Sequence, residues 1–138
     1  MKGDPLKRMW QMKNEEFNAV ITLPAPKRYS YFVKKVADWE QVWILGAEDN
    51  TVIVTDNLGR ELIPFWPHPR FAQACAVGPR SGEKASTIEV HLWLEYWVPG
   101  MIRDKRLAAI FPTPMGQGVP IAVERLKVDL EEELAKME

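Results

Sequence analysis

Three short apolar runs lie close together in the middle of the chain, at residues 41–46, 51–56 and 61–66. The segments between them carry Asp, Asn and Gly, which favour turns. Strands joined by short turns pair with their chain neighbours, so the pattern predicts an antiparallel meander. Pro64 has no N–H to give to a ladder, and we therefore expect the third run to lie at a sheet edge or to end there.

Helical periodicity flanks these runs on both sides. It predicts helices at 15–23, from Pro26 to Trp39, and at 70–77, where Gly78-Pro79 ends the last of these. Leu92, Trp93, Tyr96 and Trp97 indicate a helix that is interrupted or reset at Pro99-Gly100. A final helix should carry an apolar stripe at Leu126, Leu130, Leu134 and Met137.

Further strands are expected at 87–90, 107–111 and 119–123, and strands and helices alternate without a βαβ rhythm. The fold class is therefore α+β, with about five to six strands in a mostly antiparallel sheet packed against about four to five helices. Residues 14–138 should form a single domain, and residues 1–13 a flexible N-terminal extension.

Composition and charge exclude several classes of protein. The chain has 138 residues, of which 46% are hydrophobic and 27% charged, as in globular domains. Its single cysteine rules out an internal disulfide, and no apolar run approaches the length of a membrane span, so we predict a cytoplasmic protein without membrane contact. Residues 1–40 carry an excess of three positive charges and residues 121–138 an excess of three negative ones, which is too weak a polarity to predict nucleic-acid binding.

No complete catalytic, cofactor or metal motif is present in the sequence. The segment Gly78–Lys84 has three residues between its glycines and then Glu-Lys, whereas a phosphate loop needs four and then Lys-Ser/Thr. Ser81 and Lys84 match a Ser-x-x-Lys pattern, but in an expected loop rather than at a helix start. Cys75, His68 and His91 are too few and too scattered for zinc. We therefore predict no catalytic residues, no metal and no cofactor.

Two features nevertheless offer candidate ligand or interface residues. Tryptophan is abundant, and its large ring can fill a core or anchor a partner. In Trp66-Pro67-His68-Pro69-Arg70, two prolines fix the backbone near an expected helix N-terminus, where an anion could bind or His68 could act with a distant acid such as Asp38 or Glu61. A rigid structural turn is the alternative interpretation. The candidate residues are Asp38, Trp43, Trp66, His68, Arg70 and Trp97.

Several short motifs resemble one bacterial family of uncharacterised proteins, the domain of unknown function 2750. They are Arg28-Tyr29-x-x-Phe32 with Ala37-Asp38 and Val42-Trp43, Pro64 to His68 with Phe71-Ala72, and Trp97 to Gly100 with Ile110 to Pro114. The resemblance runs from about Lys27 to Glu133 and implies one small bacterial domain. It brings no catalytic residue, cofactor or partner.

These observations leave three hypotheses about function. We favour a non-enzymatic protein-interaction or regulatory domain with another protein as partner, because no catalytic set is complete and tryptophan is abundant. The alternative is a small-ligand-binding or hydrolytic protein with its site around Trp66–Arg70. The third is an antagonist of a toxin or enzyme, for which the acidic run Glu131–Glu133 offers some support. Edge strands would also permit, but do not require, a homo-oligomer.

Overall fold

The computed structural model describes residues 10–47 and 50–137. Two helices open this part of the chain, α1 (Asn14–Val20) and α2 (Ala25–Trp39), and a short α3 (Pro69–Ala74) follows later. A single 3-10 turn occupies Gly78–Arg80. Then α4 (Val90–Leu92) runs through a π-helical turn (Trp93–Trp97) into α5 (Val98–Arg103), and α6 (Val123–Ala135) comes last.

Seven strands form two sheets in the described residues. The three-stranded sheet has the order β2 (Asn50–Thr51), β1 (Gln41–Ala47), β5 (Lys84–Glu89). The four-stranded sheet has the order β3 (Val54–Thr55), β4 (Glu61–Phe65), β6 (Leu107–Ile110), β7 (Val119–Ile121). Every ladder is antiparallel except β4 with β6. The predicted α+β class is confirmed.

The expected meander is split between the two sheets. After Thr51 the chain leaves the three-stranded sheet, and the Val52 amide donates back to the Leu45 carbonyl while its side chain is buried. One antiparallel bridge joins the sheets, in which Trp43 and Trp66 exchange both backbone hydrogen bonds at 2.9 and 3.0 Å. The third run therefore pairs with β3 and β6, and its backbone bridge to β1 is at Trp66.

Pro64 lies in an interior strand, so the expectation of an edge or an end was wrong. It sits within β4 and opposite Ala109 of β6. The Trp66 N–H points to Trp43. Backbone N–H groups point to alternate sides along a strand, so the nitrogen of Pro64, two residues earlier, faces the same side as the Trp66 N–H. On that side β3 pairs only with Glu61 and Leu62, so no ladder bond is lost at the proline.

The helix around Pro99 also differs from expectation, because it continues to Arg103. Pro99 stands in the first turn of α5, where its missing N–H costs little. The irregularity comes before it, where the Val98 amide donates to the Trp93 carbonyl in the wider π pattern. Trp93 is buried, but Leu92 and Tyr96 of the predicted stripe are 50% and 64% exposed. At the chain end Met137 lies beyond α6 and is exposed as well.

The core lies between the helices and the inner faces of both sheets. Phe32 and Val36 of α2 and Leu126 and Leu130 of α6 are fully buried within it. Across the same helix pair the hydroxyl of Tyr29 donates to the carboxylate of Asp129, which lies 100 residues further along the chain. None of the helices in the described residues combines the length and apolarity of a bilayer span.

Candidate functional site

The turn at Trp66–Arg70 is a rigid cap on α3. His68 is 7% exposed, and its ring Nδ1 accepts from the Arg70 amide at 3.1 Å. Its Nε2 lies 3.0 Å from the Trp10 carbonyl oxygen, so the neutral ring carries its proton on Nε2. Burial lowers the pKa of His68. Both ring nitrogens are therefore bound to the backbone, and neither is available for proton transfer to a substrate.

Residues 10–17 cover the face of this turn on which an anion was expected. The Arg70 guanidinium lies 4.3 Å above the Phe17 ring and donates to the Met12 carbonyl at 3.3 Å. The Trp10 ring meets His68 edge-on at 4.8 Å and stacks on Trp39. Trp10 and Met12 belong to the segment predicted as an extension, and they pack on the domain. Residues 1–9 of that segment lie outside the described residues.

The other sequence candidates are not gathered around His68. Asp38 is paired with Lys34 along α2 at 3.9 Å. Trp43 is half-buried on β1, and Trp97 is half-buried with its ring 6.0 Å from that of Phe65. Trp43 is joined to Trp66 of the turn through their backbone bridge. Every tryptophan is buried or half-buried, so none forms an exposed anchor.

A cavity of about 560 Å³ opens on the face of the four-stranded sheet that points away from the core. Its floor consists of Leu62, Pro64 and Trp66 on β4 and just beyond it, with Ala109 on β6 and Pro120 on β7. These residues share one face because side chains alternate along a strand and Ala109 pairs with both Pro64 and Pro120. We call this cavity the outer groove.

Three chain segments wall the outer groove. They are the β3–β4 turn at residues 55–60, the segment after α3 with Cys75, Val77 and Arg80, and the loop at residues 112–118. All lining residues fall between Val54 and Pro120. Because the segments are far apart in sequence, the groove exists only in the folded chain.

Trp66 and Cys75 join at the base of one wall. The indole Nε1 donates to the Pro112 carbonyl at 2.8 Å, and the Cys75 thiol donates to the same oxygen at 3.4 Å. Burial raises the pKa of Cys75 to about 11. The thiol therefore stays protonated at neutral pH, and since the thiolate is the nucleophile, Cys75 is a packing and hydrogen-bonding group rather than a reactive one.

The charged groups of the outer groove are unequally satisfied. The Asp56 carboxylate accepts from the amides of Leu58 and Arg60, each at 2.9 Å, and pairs with the Arg60 side chain at 2.7 Å. These bonds, the Arg60 amide first, lower the pKa of Asp56. Arg80 is half-buried and has no ion pair within the described part of the chain.

Sequence reasoning missed Arg28, whose buried guanidinium fixes one wall of the groove. It donates to the carbonyls of Phe111 at 3.0 Å, Leu23 at 2.7 Å and Gln117 at 3.0 Å. Burial lowers its pKa. The signal was present in the sequence, because Arg28 lies four residues before Phe32 and eight before Val36 and therefore shares their buried helix face.

One cluster among the described residues has donors that could hold a metal ion. The ligand atoms of Glu40, Glu89 and His91 lie within 4.8 Å of one another at the surface. However, one Glu89 oxygen accepts from the Leu92 amide and the other is bound to His91 Nδ1 at 2.7 Å. An ion here would have to break the second bond, and the prediction that no metal binds stays a prediction.

The fold and the groove together define a small α+β domain with a partly apolar groove on an open sheet face. The chain belongs to the family described as protein of unknown function, DUF2750, whose model matches residues 29–130. The matched range includes every lining residue of the outer groove. No curated protein matches the chain.

Proposed function

We propose that this domain is a non-enzymatic binding protein that holds a small, mainly apolar ligand in the outer groove. The observation that carries the proposal is the groove itself, about 560 Å³ in volume with a buried apolar floor. Small-molecule sites are concave, mostly apolar and of roughly 300–1,000 Å³, with a few polar groups that orient the ligand. Of the sequence candidates, Trp66 lines this groove.

The chemistry of the lining favours binding over catalysis. Cys75 is protonated, and the Asp56 carboxylate is saturated by backbone and side-chain donors. His68, the one buried histidine, is held by backbone groups on the Trp10 side of the turn and is not a lining residue. A hydrolytic mechanism based on His68 and a distant acid has no support from these contacts.

The test is a screen of small-molecule fragments followed by two-dimensional NMR of the labelled protein. Binding fragments should shift the backbone amide of Ala109 and the indole N–H of Trp66. Ala109→Leu places a larger side chain over the groove floor and should abolish binding, whereas Ala135→Leu, the same change at an exposed helix position, should not. The proposal is wrong if no fragment shifts groove signals at millimolar concentration, or if Ala109→Leu, folded by its spectrum, binds as the wild type does.

A second candidate function is contact with another protein, as the sequence analysis favoured. Large apolar side chains stand exposed around the groove mouth: Leu58 at 77%, Val77 at 58% and Met115 at 97%. Exposed apolar groups beside a concave pocket are typical of protein contact sites. Such a partner, an antagonised toxin or enzyme included, should be retained from cell extract by the wild type and lost with Met115→Asp, while fragment binding at the floor persists, because Met115 is not a lining residue.

A further inference from the structure

We infer that the ligand of the outer groove carries a carboxylate, which pairs with Arg80 while an apolar body lies on the sheet floor. This inference rests on the proposed function and specifies the chemical class of the ligand. It is an apolar carboxylic acid, aromatic or branched aliphatic, small enough for a cavity of about 560 Å³.

The first support is the charge balance of the groove lining. Its charged side chains are Asp56, Arg60 and Arg80. Asp56 and Arg60 neutralise each other at 2.7 Å, in a pair fixed further by the Arg60 amide. Arg80 has no carboxylate partner among the residues that the structure describes, so the lining carries one uncompensated positive charge.

The second support is Arg28, which lies directly behind the loop wall. All three of its side-chain hydrogen bonds go to neutral carbonyls, so its charge is also uncompensated in the described chain. One of them ends on the carbonyl of Gln117, a lining residue. Two guanidinium groups around a low-dielectric cavity produce a positive potential, which attracts an anion and opposes a cation.

The geometry of guanidinium favours a carboxylate as that anion. Its planar N–H groups match two carboxylate oxygens, and such charge-assisted bonds are about twice as strong as neutral ones. The floor residues Leu62, Pro64 and Ala109 offer no polar side-chain atom to a ligand, so the rest of the molecule should be apolar.

The experiment uses a panel of aryl and branched alkyl bodies, each prepared as the carboxylate, the neutral amide and the amine, with inorganic phosphate as an anion without a body. NMR titration of the full chain gives each affinity. We expect the carboxylates to bind about tenfold tighter than their amides and the amines to bind weakest. Arg80→Gln should remove the preference for the carboxylate, and Arg80→Glu should move it toward the amine. Arg103→Glu, the same charge change at an exposed site outside the groove, should leave the wild-type order intact.

The outcomes separate this inference from the proposed function. Equal binding of carboxylate and amide, lost in Ala109→Leu, would overturn the inference and leave the proposed function standing. A carboxylate preference that survives Arg80→Gln would overturn the assignment of Arg80. Phosphate that binds as tightly as the carboxylates would remove the role of the apolar body. If no member of the panel shifts groove signals, both proposals fail.

Discussion

Arg28→Met should destabilise the fold by removing three hydrogen bonds, one to Leu23 before α2, one to Phe111, and one to Gln117 in the loop at residues 112–118. Arg28 is only 7% exposed, and the bond to Phe111 is buried, so this carbonyl would be left without a donor at a cost of about 1–3 kcal/mol. The carbonyls of Leu23 and Gln117 are partly buried, and water replaces the donor in part, which adds about 0.5–1.5 kcal/mol each. Relief of an unpaired buried charge offsets some of this loss. We expect the free energy of unfolding to fall by about 2–4 kcal/mol.

Urea unfolding followed by circular dichroism measures this difference. Lys27→Met removes a neighbouring exposed charge from the same helix and should change the free energy of unfolding by less than about 0.5 kcal/mol. Arg28→Lys keeps the charge but not the planar fork of N–H donors, so its free energy of unfolding should lie between those of Arg28→Met and the wild type. Hydrogen exchange at the Thr113 amide, which donates to Gly116 within the loop, should accelerate in Arg28→Met. If Arg28→Met is as stable as Lys27→Met and its loop exchanges no faster, the bonds to Phe111 and Gln117 do not hold this wall.

Three further predictions concern the rest of the fold. Gly46→Ala should lower the free energy of unfolding by about 1–3 kcal/mol, because a Cβ there would lie 1.9 Å from the Asn50 carbonyl oxygen. Gly82→Ala, with open space around its Cβ, is the control in thermal denaturation. Equal melting temperatures of the two variants would contradict the clash. Cys75 should react slowly with a thiol reagent at pH 8 in the native protein and fast in denaturant, because a pKa of about 11 leaves only about one thiolate in a thousand. Rapid labelling of the native protein would show that the thiol is not buried and hydrogen-bonded as described. The pKa of His68 is lower in the folded chain than its unfolded value near 6.5, so its neutral form contributes stability that is complete above that pH and is lost as the pH falls through the folded pKa. His68→Asn, which can still cap α3, should therefore lose less of its free energy of unfolding than the wild type between pH 7.5 and 5, as measured by urea unfolding. If both proteins lose the same amount, protonation of His68 does not destabilise the fold.

Much of the architecture was predictable because local patterns agreed with the fold. Helical spacing located α2 and α6, and turn residues located the strands that became β1, β4, β6 and β7. The errors occurred where tertiary context overrode a local rule. Pro64 was tolerated inside a sheet because β3 ends before reaching it, and Pro99 was tolerated because a π-helical turn precedes it. Neither the length of a neighbouring strand nor a π turn has a reliable signature in a single sequence.

The candidate site was harder to predict than the fold. Trp66 was selected for its residue type, and it lines the outer groove, but His68 and Arg70 point to the N-terminal segment instead. The groove gathers residues from Val54 to Pro120, and its shape depends on the parallel pairing of β4 with β6, which spans a long connection. Arg28 is different, because a charged residue on an otherwise apolar helix face could have been flagged from the sequence alone.

The packing of α2 against α6 has a consequence for biosynthesis. Tyr29 meets Asp129 across 100 residues of chain, and the buried residues of α2 share one core with those of α6, a helix that is synthesised much later than α2. At about 5–20 residues per second, a ribosome needs about 5–20 seconds to add those residues. Throughout that interval the apolar face of α2 has no final partner, and the chain must gain its stability late, in a step that closes a very long loop. Apolar surface that stays exposed for this time is prone to aggregation until α6 covers it.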